Sequence, residues 1–400
     1  MQDFCERLFV ACDAITDILV RESGRFGTEI YNRTFNRSPW LKLVRRGEFP
    51  QGIGTQISTL TYERSAPTDA EPTWSQVTVT DGAEGGSCLP TATKVGIAST
   101  TRNYDLRRRV LEGPDFCVED IRFAFQLREQ LSAVIQILAD YTTLEWEIRD
   151  RHEYLRLVKW KVTVNASLTE STATTAPYFA GGCPTSILTQ GILDKWRLRL
   201  IRDGAAGSAI GMEDGAPILT LISSGETSND LIFRNAEVRQ DYRWAKPNEL
   251  LAPIGVTRSY RGFYHVTDMY PIRGTCTGGT FTEIAAFATE AATKGNKAEL
   301  RTAWLGANYE VSFIFDPTVF QQLIPRPITN PAPNFSFDPV SYMGEWKVKN
   351  ILDRVCNPDG TILYHRGILA AGSKPVHPER GAAFLHLRCD PALNLVTTCS

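Results

Sequence analysis

The feature that most constrains this sequence is a single long stretch with helical periodicity and no helix breaker, residues 115–156. No proline or glycine interrupts it, and its apolar residues recur at steps of three or four positions: Ala124, Leu127, Leu131, Val134, Leu138, Tyr141, Leu144 and Ile148. This spacing places the apolar side chains on one face of an α-helix. Asp115 suits the N-cap position. The pattern predicts one unbroken helix from about residue 116 to about residue 150, packed by this face on a sheet.

A long β-hairpin is predicted ahead of this helix. Residues 52–64 and 95–104 are rich in strand-forming side chains, and they enclose an insert at 65–93 that is rich in proline, glycine and short polar residues. The tip of the insert is the run Asp81-Gly82-Ala83-Glu84-Gly85-Gly86. A two-stranded hairpin with no core of its own is marginal in water. We therefore expect it to lie against another surface, and the residues alone leave open whether that surface belongs to the same chain or to a neighbouring subunit.

Helix and strand patterns also occur outside these two segments, so the sequence predicts the α+β class. Residues 3–22 have the pattern of an amphipathic helix, and a second helix carries an apolar stripe that ends before Gly204: Leu188, Ile192, Trp196 and Leu200. Asp316-Pro317 is typical of the start of a short helix, which would run through Leu323.

Strands are predicted at four places after the long helix: 158–164, 218–222, 231–233 and 309–315. In the first of these, valines alternate with Lys159, Lys161 and Thr163, which predicts a half-buried strand with one wet face. An extended proline-rich loop is predicted at 325–339.

The charge balance argues against one large class of function. With 43 Lys and Arg against 45 Asp and Glu, the chain has no excess of cations to hold a nucleic-acid backbone tightly. Its first residues lack the basic and apolar regions of a secretory signal, and no run of about 20 apolar residues is present to cross a bilayer. We expect no membrane association. The nine cysteines show no Cys-x-x-Cys pair, and we expect them to be reduced thiols in a cytoplasmic protein.

Motifs that carry chemistry are absent from the sequence. The five histidines have no zinc-ligand spacing, and neither a Gly-x-Ser-x-Gly elbow nor a phosphate-binding glycine loop occurs. The paired acids Glu145 and Glu147 have the spacing of solvated surface residues. We therefore predict no catalytic, cofactor-binding or metal site. The densest basic cluster is Arg107-Arg108-Arg109, for which an anion-binding role and a solvated or interface-facing strand end are both open.

The order of these parts resembles the layout of tailed-bacteriophage major capsid proteins of the Hong Kong 97 type. That layout is an N-terminal arm, an extended hairpin called the E-loop, a long spine helix in a P-domain, and a mixed α/β A-domain. Three local phrases are similar to those of one broad group of these proteins: Asp214-Gly215-Ala216-Pro217 with Ile218-Leu219-Thr220-Leu221-Ile222, Asp241-Tyr242-Arg243, and Pro375-Val376-His377-Pro378.

The resemblance implies a division of the chain into four parts. These would be the arm at 1–54, the E-loop at 55–112, the P-domain at 113–182, and an A-domain at 183–400 whose strands return to the P-domain. The sequence departs from some of these proteins in having no long charged coiled-coil leader before the arm, so we expect any scaffold domain to be a separate protein or absent. The E-loop offers only Lys94 as a lysine, and we do not expect isopeptide crosslinks.

The resemblance also implies a self-assembling shell protein, located in the virion and assembled in the host cytoplasm. Its partners would be its own copies as hexamers and pentamers, packaged double-stranded DNA bound without sequence specificity, and a separate scaffolding, portal or decoration protein. The residues that we expect at assembly contacts are Asp81, Gly82, Gly85, Gly86, Arg107, Arg108 and Arg109. Two alternatives stay open: an encapsulin-like cargo compartment, and a hydrolytic enzyme whose site is built from residues distant in sequence.

Overall fold

The structure is a computed structural model that describes residues 39–49, 56–64, 97–112, 116–117, 127–209, 211–213, 216–233, 259–260, 262–289, 298–325, 342–350 and 361–388. Its helices are α1 Pro39–Leu43, α2 Leu127–Leu157, α3 Gln190–Arg202, α4 Gly225–Phe233 and α5 Thr302–Leu305. None of these described helices is both long enough and apolar enough to cross a lipid bilayer.

The strands are β1 Arg45–Phe49, β2 Gln56–Arg64, β3 Ile97–Asp105, β4 Arg107–Glu112, β5 Phe116–Cys117, β6 Trp160–Thr163, β7 Thr169–Ser171, β8 Gly211–Glu213, β9 Ala216–Ser223, β10 Ser259–Tyr260, β11 Phe263–Thr267, β12 Arg273–Thr277, β13 Thr280–Ile284, β14 Phe287–Thr289, β15 Ala298–Leu300, β16 Tyr309–Phe315, β17 Phe320–Pro325, β18 Tyr342–Asn350, β19 Thr361–Pro375 and β20 Ala382–Leu387. This mixture of helices and sheets confirms the α+β class.

The chain divides into two compact units, Gly52–Asp105 and the remainder. The smaller unit contains the predicted hairpin: β2 and β3 pair antiparallel from Gln56 opposite Asp105 to Arg64 opposite Ile97. The two predicted strands are therefore confirmed. The insert between them, the predicted helix at 3–22 and residues 326–339 of the predicted loop lie outside the described residues.

A ten-stranded mixed sheet forms the centre of the larger unit. Its main order is β10-β11-β9-β16-β20-β6-β7, and β8, β12 and β13 attach to it. Strand β16 pairs antiparallel with β9 on one side and with β20 on the other, and every residue from Glu310 to Phe315 is buried. The strand predicted at 309–315 is confirmed with the same bounds. The polar residues Glu310 and Ser312 alternate with its apolar residues and are buried with hydrogen-bonding partners, Arg273 and His386.

Helix α2 covers one face of this sheet with its C-terminal end. Tyr154 and Val158 pack there with Val311, Phe313 and Phe315 of β16. The predicted long helix is confirmed as one unbroken element of 31 residues, which at the usual rise per residue is about 46 Å long.

The predicted start of the long helix is wrong. Phe116 and Cys117 form β5 and pair with Leu363 and Ile362 of β19. Their backbone groups find hydrogen-bonding partners in the sheet, which a helix beginning at residue 116 would forfeit.

The predicted packing face of the helix is also wrong in part. Among the described side chains of α2, the least exposed are those of Thr142, Trp146, Asp150 and Tyr154, whereas Tyr141 is 44% exposed. These buried residues recur at steps of four and lie about one position further along the helix than the apolar stripe.

Helix α3 covers the opposite face of the sheet. It buries Leu193, Trp196 and Leu200 against a cluster that includes Phe384 of β20. Gly204 follows the C-cap residue Asp203 and has a φ of 99°, a left-handed conformation that favours glycine and ends the helix. The predicted second helix and its stop are confirmed.

Two predicted elements have the wrong type. Residues 231–233 belong to helix α4 rather than to a strand, because the Ser224 hydroxyl accepts a hydrogen bond from the Thr227 backbone N–H and caps the helix. Asp316 does not start a helix, since its carboxylate accepts the Thr318 backbone N–H in a tight turn that leads into β17.

Strand β6 lacks the wet face predicted for it at Lys161 and Thr163. Both residues are fully buried, and the segment at 178–180 contacts their side chains. The Thr163 hydroxyl donates a 2.6 Å hydrogen bond to the Ala180 carbonyl oxygen, and the Lys161 ammonium lies 5.9 Å from the centre of the Tyr178 ring. The Lys161 ammonium donates hydrogen bonds to the carbonyl oxygens of Arg156 and Val158 at the C-terminal end of α2, where the helix dipole favours a cation. Burial nevertheless lowers the pKa of Lys161 to about 8.

The prediction that all cysteines are reduced is wrong for one pair. Cys183 and Cys276 form a disulfide across a sequence separation of 93 residues, with their Cα atoms 5.7 Å apart. Cys276 lies on β12, and the loop that carries Cys183 contacts the β12–β13 hairpin through the Phe179 and Phe281 rings. A pairing over this separation depends on tertiary proximity, which cysteine spacing alone does not give.

Candidate assembly surface

The arginine cluster lies on strand β4, at the side of a six-stranded sheet. The order of that sheet is β1-β17-β19-β18, and β4 pairs antiparallel with β19 from Arg107 opposite Ala371 to Glu112 opposite Arg366. Only Leu111 is buried among the six residues of β4. A strand with this pattern packs through one side chain and offers the others to solvent or to another molecule.

Helix α2 carries the partners of these arginines. An Arg107 Nη1 lies 3.6 Å from a Glu153 carboxylate oxygen, and the Arg109 Nη2 lies 2.8 Å from a Glu145 carboxylate oxygen. Arg109 also donates a 3.3 Å hydrogen bond to the Tyr141 hydroxyl. Tyr141, Glu145 and Glu153 are separated by multiples of four residues, so they lie on one face of the helix.

Between these acids, Arg149 anchors the helix to the same sheet. Its guanidinium donates a hydrogen bond to the Ala371 carbonyl oxygen of β19 and lies 5.3 Å from the centre of the Trp146 ring. Burial lowers the pKa of Arg149 below its ordinary value, and the nearby Asp150 and Glu153 charges oppose that shift. The face of α2 toward β4 and β19 is therefore a ladder of alternating charges.

The pairing leaves most of the arginine surface accessible. The side chains of Arg107 and Arg109 are 63% and 60% exposed. Exposed apolar side chains accompany them at Val110 on β4 and at Ile137 and Tyr141 on α2. A surface that combines guanidinium groups with apolar side chains can bind carboxylates and bury area at the same time.

Arg109 and Tyr141 keep their charge states near neutral pH. The hydrogen bond to Tyr141 raises the pKa of Arg109 above its ordinary value. Burial raises the pKa of the Tyr141 hydroxyl. Arg109 therefore stays cationic and Tyr141 stays neutral over the range in which proteins usually function.

A buried polar network holds α2 on the six-stranded sheet behind this surface. Asp150 is fully buried, and its carboxylate accepts a 2.6 Å hydrogen bond from the Gln322 side chain of β17. The Arg46 Nη2 of β1 lies 3.7 Å from the other carboxylate oxygen. Burial raises the pKa of Asp150 to about 6, although Arg46, Arg149 and Gln322 act to lower it.

We expect Asp150→Asn to flatten the pH dependence of stability. The folded-state pKa of about 6 lies above the ordinary 3.8, so Asp150 favours the folded state below pH 3.8 and loses this contribution as the pH rises through 6. The contribution amounts to about 3 kcal/mol. Urea denaturation of both proteins between pH 4 and 8 measures it. The exposed Asp105→Asn should leave the pH dependence intact, and an Asp150→Asn profile parallel to that of the parent would contradict the assignment.

Three histidines contact polar side chains within the described part of the chain. His152 pairs with Glu283 at 2.8 Å, and His377 lies 3.1 Å from a Glu379 carboxylate oxygen. His386 and Ser312 lie within 2.8 Å of each other, which is the distance of a nucleophile and its base. Both are buried on the paired strands β16 and β20, so the hydroxyl has no access to a substrate in this structure. Among the described residues no group of three His, Cys, Asp or Glu side chains is placed to hold a metal ion.

The structure brings together only part of the predicted assembly set. Arg107, Arg108 and Arg109 lie side by side on β4, whereas Asp81, Gly82, Gly85 and Gly86 lie outside the described residues. The assembly role of all seven stays a prediction. Sequence reasoning did not identify Glu145 and Glu153 as partners of the arginines, and their spacing on the helix was the one available signal. It also took Glu147 for a solvated acid, whereas Glu147 is 7% exposed.

Comparison with known proteins finds similar solved structures but no similar sequence. No model of a protein family matches the chain, and no curated protein matches its sequence. The chain is similar to solved bacteriophage capsids. The cyanophage Pam1 capsid asymmetric unit superposes with a TM-score of 0.48 at 11% identity, over 88% of this chain and 92% of the other.

Two further capsids superpose over similar lengths. The capsid of Ralstonia phage GP4 gives a TM-score of 0.45 at 9% identity, over 87% and 88% of the two chains. The capsid of Helicobacter pylori bacteriophage KHP30 gives 0.44 at 8% identity, over 88% and 91%. Each is named as a phage capsid, the class of protein that the sequence resembles.

Proposed function

We propose that this chain is the structural major capsid protein of a tailed bacteriophage, of the Hong Kong 97 type. Copies of the chain would assemble as hexamers and pentamers into an icosahedral shell that encloses double-stranded DNA. The chain would act by forming contacts with its own copies and would carry out no chemical reaction. Its location would be the virion, after assembly in the host cytoplasm.

The hairpin of β2 and β3 is the observation that carries this proposal. Each strand has nine residues, and in the described part of the chain the two pair only with each other. They belong to a compact unit of their own, Gly52–Asp105. An isolated two-stranded hairpin is marginal in water, so we infer that a neighbouring copy supplies the surface that stabilises it.

The parts of the chain would correspond to the parts of such a capsid protein. We propose residues 1–51 as the arm, 106–182 as the P-domain with α2 as its spine helix, and 183–400 as the A-domain. We place the E-loop at 52–105 instead of 55–112, because β4 pairs with β19 and lies in the other unit. Strands β17 and β19 pair with β1 and β4, which supports the expected return of the last segment to the P-domain.

The surface of β4 and α2 supports the role of an interface between subunits. Arg107, Arg108 and Arg109 would meet carboxylates of the neighbouring copy, while Val110 and Ile137 bury apolar area against it. Obligate interfaces bury more than about 2,000 Å² in total. A separate scaffolding, portal or decoration protein would bind the assembled shell.

The nearly balanced charge supports a container for DNA. With 43 cationic side chains against 45 anionic ones, the chain would form an inner wall that does not grip a polyanion, so packaged DNA would be held without sequence-specific contacts.

Deletion of the hairpin tip from Asp69 to Gly86 is expected to separate folding from assembly. The body retains its two buried clusters, so the variant should remain soluble with a cooperative unfolding transition. It should fail to form shells in sedimentation and negative-stain electron microscopy, because the intermolecular contact is lost. An equal number of Gly and Ser residues in place of the tip serves as a control for chain length and should fail in the same way. Normal shells from the deletion variant would show that the hairpin belongs to the fold of its own subunit.

A further inference from the structure

A cavity of about 490 Å³ opens beside the outer face of helix α3. Trp196, Leu168 and the 58% exposed Leu198 give it apolar lining. Its charged lining consists of three cations, Lys195, Arg199 and Arg202, and one acid, Glu170. The cavity therefore carries two positive charges in excess, within a chain whose net charge is −2.

The three cations lie on one side of α3. Lys195, Arg199 and Arg202 are separated by four and three residues, so their side chains leave the helix in nearly the same direction. Glu170 of β7 lies 2.5 Å from the Arg199 guanidinium. This pair satisfies the middle cation and leaves Lys195 and Arg202, both exposed, to face a ligand from either end of the cavity.

Arg199 is held in a fixed position between two indole rings. Its guanidinium carbon lies 3.9 Å from the centre of the Trp160 ring and 4.6 Å from that of the Trp196 ring. The Trp160 indole N–H donates a 3.1 Å hydrogen bond to the Glu379 carbonyl oxygen, which fixes that ring in turn. Stacking of a guanidinium on aromatic faces reduces the entropy that it loses when a ligand binds.

The chemistry of the cavity fits an acidic peptide with an apolar side chain. Carboxylates would pair with Lys195 and Arg202, and an aromatic or aliphatic group would cover Leu198 and the Trp196 edge. One segment of this chain has that composition. Residues 68–84 contain Trp74 and four acids, with no Lys or Arg among them: Asp69, Glu71, Asp81 and Glu84.

We propose that the α3 cavity receives the hairpin segment 68–84 of a second copy of this chain. This inference rests on the proposed function, since it names the surface on which the hairpin tip would dock. Complementary charge gives such a contact its specificity, because an amide or a cation at the same positions leaves the cavity charges unpaired.

The test uses a fluorescein-labelled synthetic peptide of residues 68–84 and the full-length chain. In that chain Asp69, Glu71, Asp81 and Glu84 are changed to their amides, so that its own tip does not compete. Fluorescence anisotropy at low salt should show saturable binding. Lys195→Glu with Arg202→Glu in the same chain should weaken binding by at least about tenfold. The exposed Arg301→Glu, which lies away from the cavity lining, is the matched control and should bind normally.

A charge exchange makes the test specific. A peptide with lysine at the four acidic positions should bind the reversed cavity more tightly than the original cavity. The proposal is overturned if the peptide fails to bind, if the cavity variants bind it normally, or if a peptide of the same composition in scrambled order binds as well. Shell formation by the unaltered chain is measured separately by electron microscopy. If the unaltered chain forms normal shells but the peptide does not bind, this inference alone is overturned. If the unaltered chain forms no shells, the proposed function is overturned.

Discussion

Tyr154→Ala should destabilise the unassembled subunit by about 3–5 kcal/mol, the largest effect that we expect from one aromatic side chain. Tyr154 is fully buried where α2 meets the ten-stranded sheet. Its ring stacks on Phe315 at 5.0 Å and contacts Trp40, Phe313 and Phe320 edge to face. Removal of the ring would open a cavity at the junction of a helix, β16 and β17. Urea denaturation measures the change in the free energy of unfolding.

Two further variants separate the contributions of Tyr154. Its hydroxyl donates a 2.7 Å hydrogen bond to the Ile314 carbonyl oxygen and accepts one of 3.1 Å from the Asp316 backbone N–H. Tyr154→Phe keeps the ring and should cost about 1–3 kcal/mol, the penalty for leaving buried backbone groups without partners. Tyr141→Ala, on the exposed side of the same helix, should cost less than about 1 kcal/mol. Equal costs at Tyr154 and Tyr141 would show that α2 does not pack through Tyr154.

Arg151→Met should cost a similar amount, about 3–5 kcal/mol, for an electrostatic reason. Arg151 and Asp268 are each 3% exposed, and Arg151 donates two hydrogen bonds of 2.7 Å to the Asp268 carboxylate. Methionine fills a comparable volume but leaves the carboxylate buried without its cation. The Trp40 indole and the Tyr270 backbone N–H still donate to Asp268, although neither brings a charge.

A double-mutant cycle tests whether the loss of stability comes from the Asp268 carboxylate that is left without a cationic partner. Asp268→Asn in the Arg151→Met background removes the buried negative charge and keeps an acceptor for the Trp40 indole. The double variant should therefore be more stable than the sum of the two single effects predicts, by more than about 1 kcal/mol. Additive effects within experimental error would show that Arg151 acts through packing alone.

Local patterns predicted the elements that are stabilised by their own side chains. Strand β16 was predicted with its final bounds because strand-forming apolar residues recur at every second position from Tyr309 to Phe315. Helix α3 was predicted from its apolar stripe and Gly204, and the β2–β3 hairpin from two strand-forming runs around a polar insert. In each case the signal lies within a few residues of the element, so the sequence suffices.

Other features depend on contacts between residues far apart in the sequence. The alternating pattern predicted a solvated Lys161, but its ammonium lies near the Tyr178 ring and donates to carbonyl oxygens at the end of α2. The Cys183–Cys276 disulfide spans 93 residues, and no spacing pattern indicates it. Residues 231–233 are apolar enough for a strand, but the Ser224 hydroxyl caps a helix that includes them. The start of α2 was misplaced because β19, more than two hundred positions later, pairs with Phe116 and Cys117.

The sequence predicted the arginines of the candidate surface but not their acidic partners. The cluster Arg107-Arg108-Arg109 is evident from composition, but its partners Glu145 and Glu153 become partners only when β4 packs beside α2. Arg151 and Asp268 were not recognised at all, because a buried ion pair has no signature in either local segment. The sequence therefore shows where charged residues cluster, but only the tertiary structure shows which of them form ion pairs.

Negative-stain electron microscopy of the purified full-length chain tests directly whether its copies assemble into a closed shell. The chain should be expressed alone and together with the products of its neighbouring genes, since a scaffolding protein can be required for closure. We expect closed, hollow shells of uniform diameter, built of rings with fivefold and sixfold symmetry. A chain that remains monomeric, or that forms only small oligomers, under both conditions would contradict it.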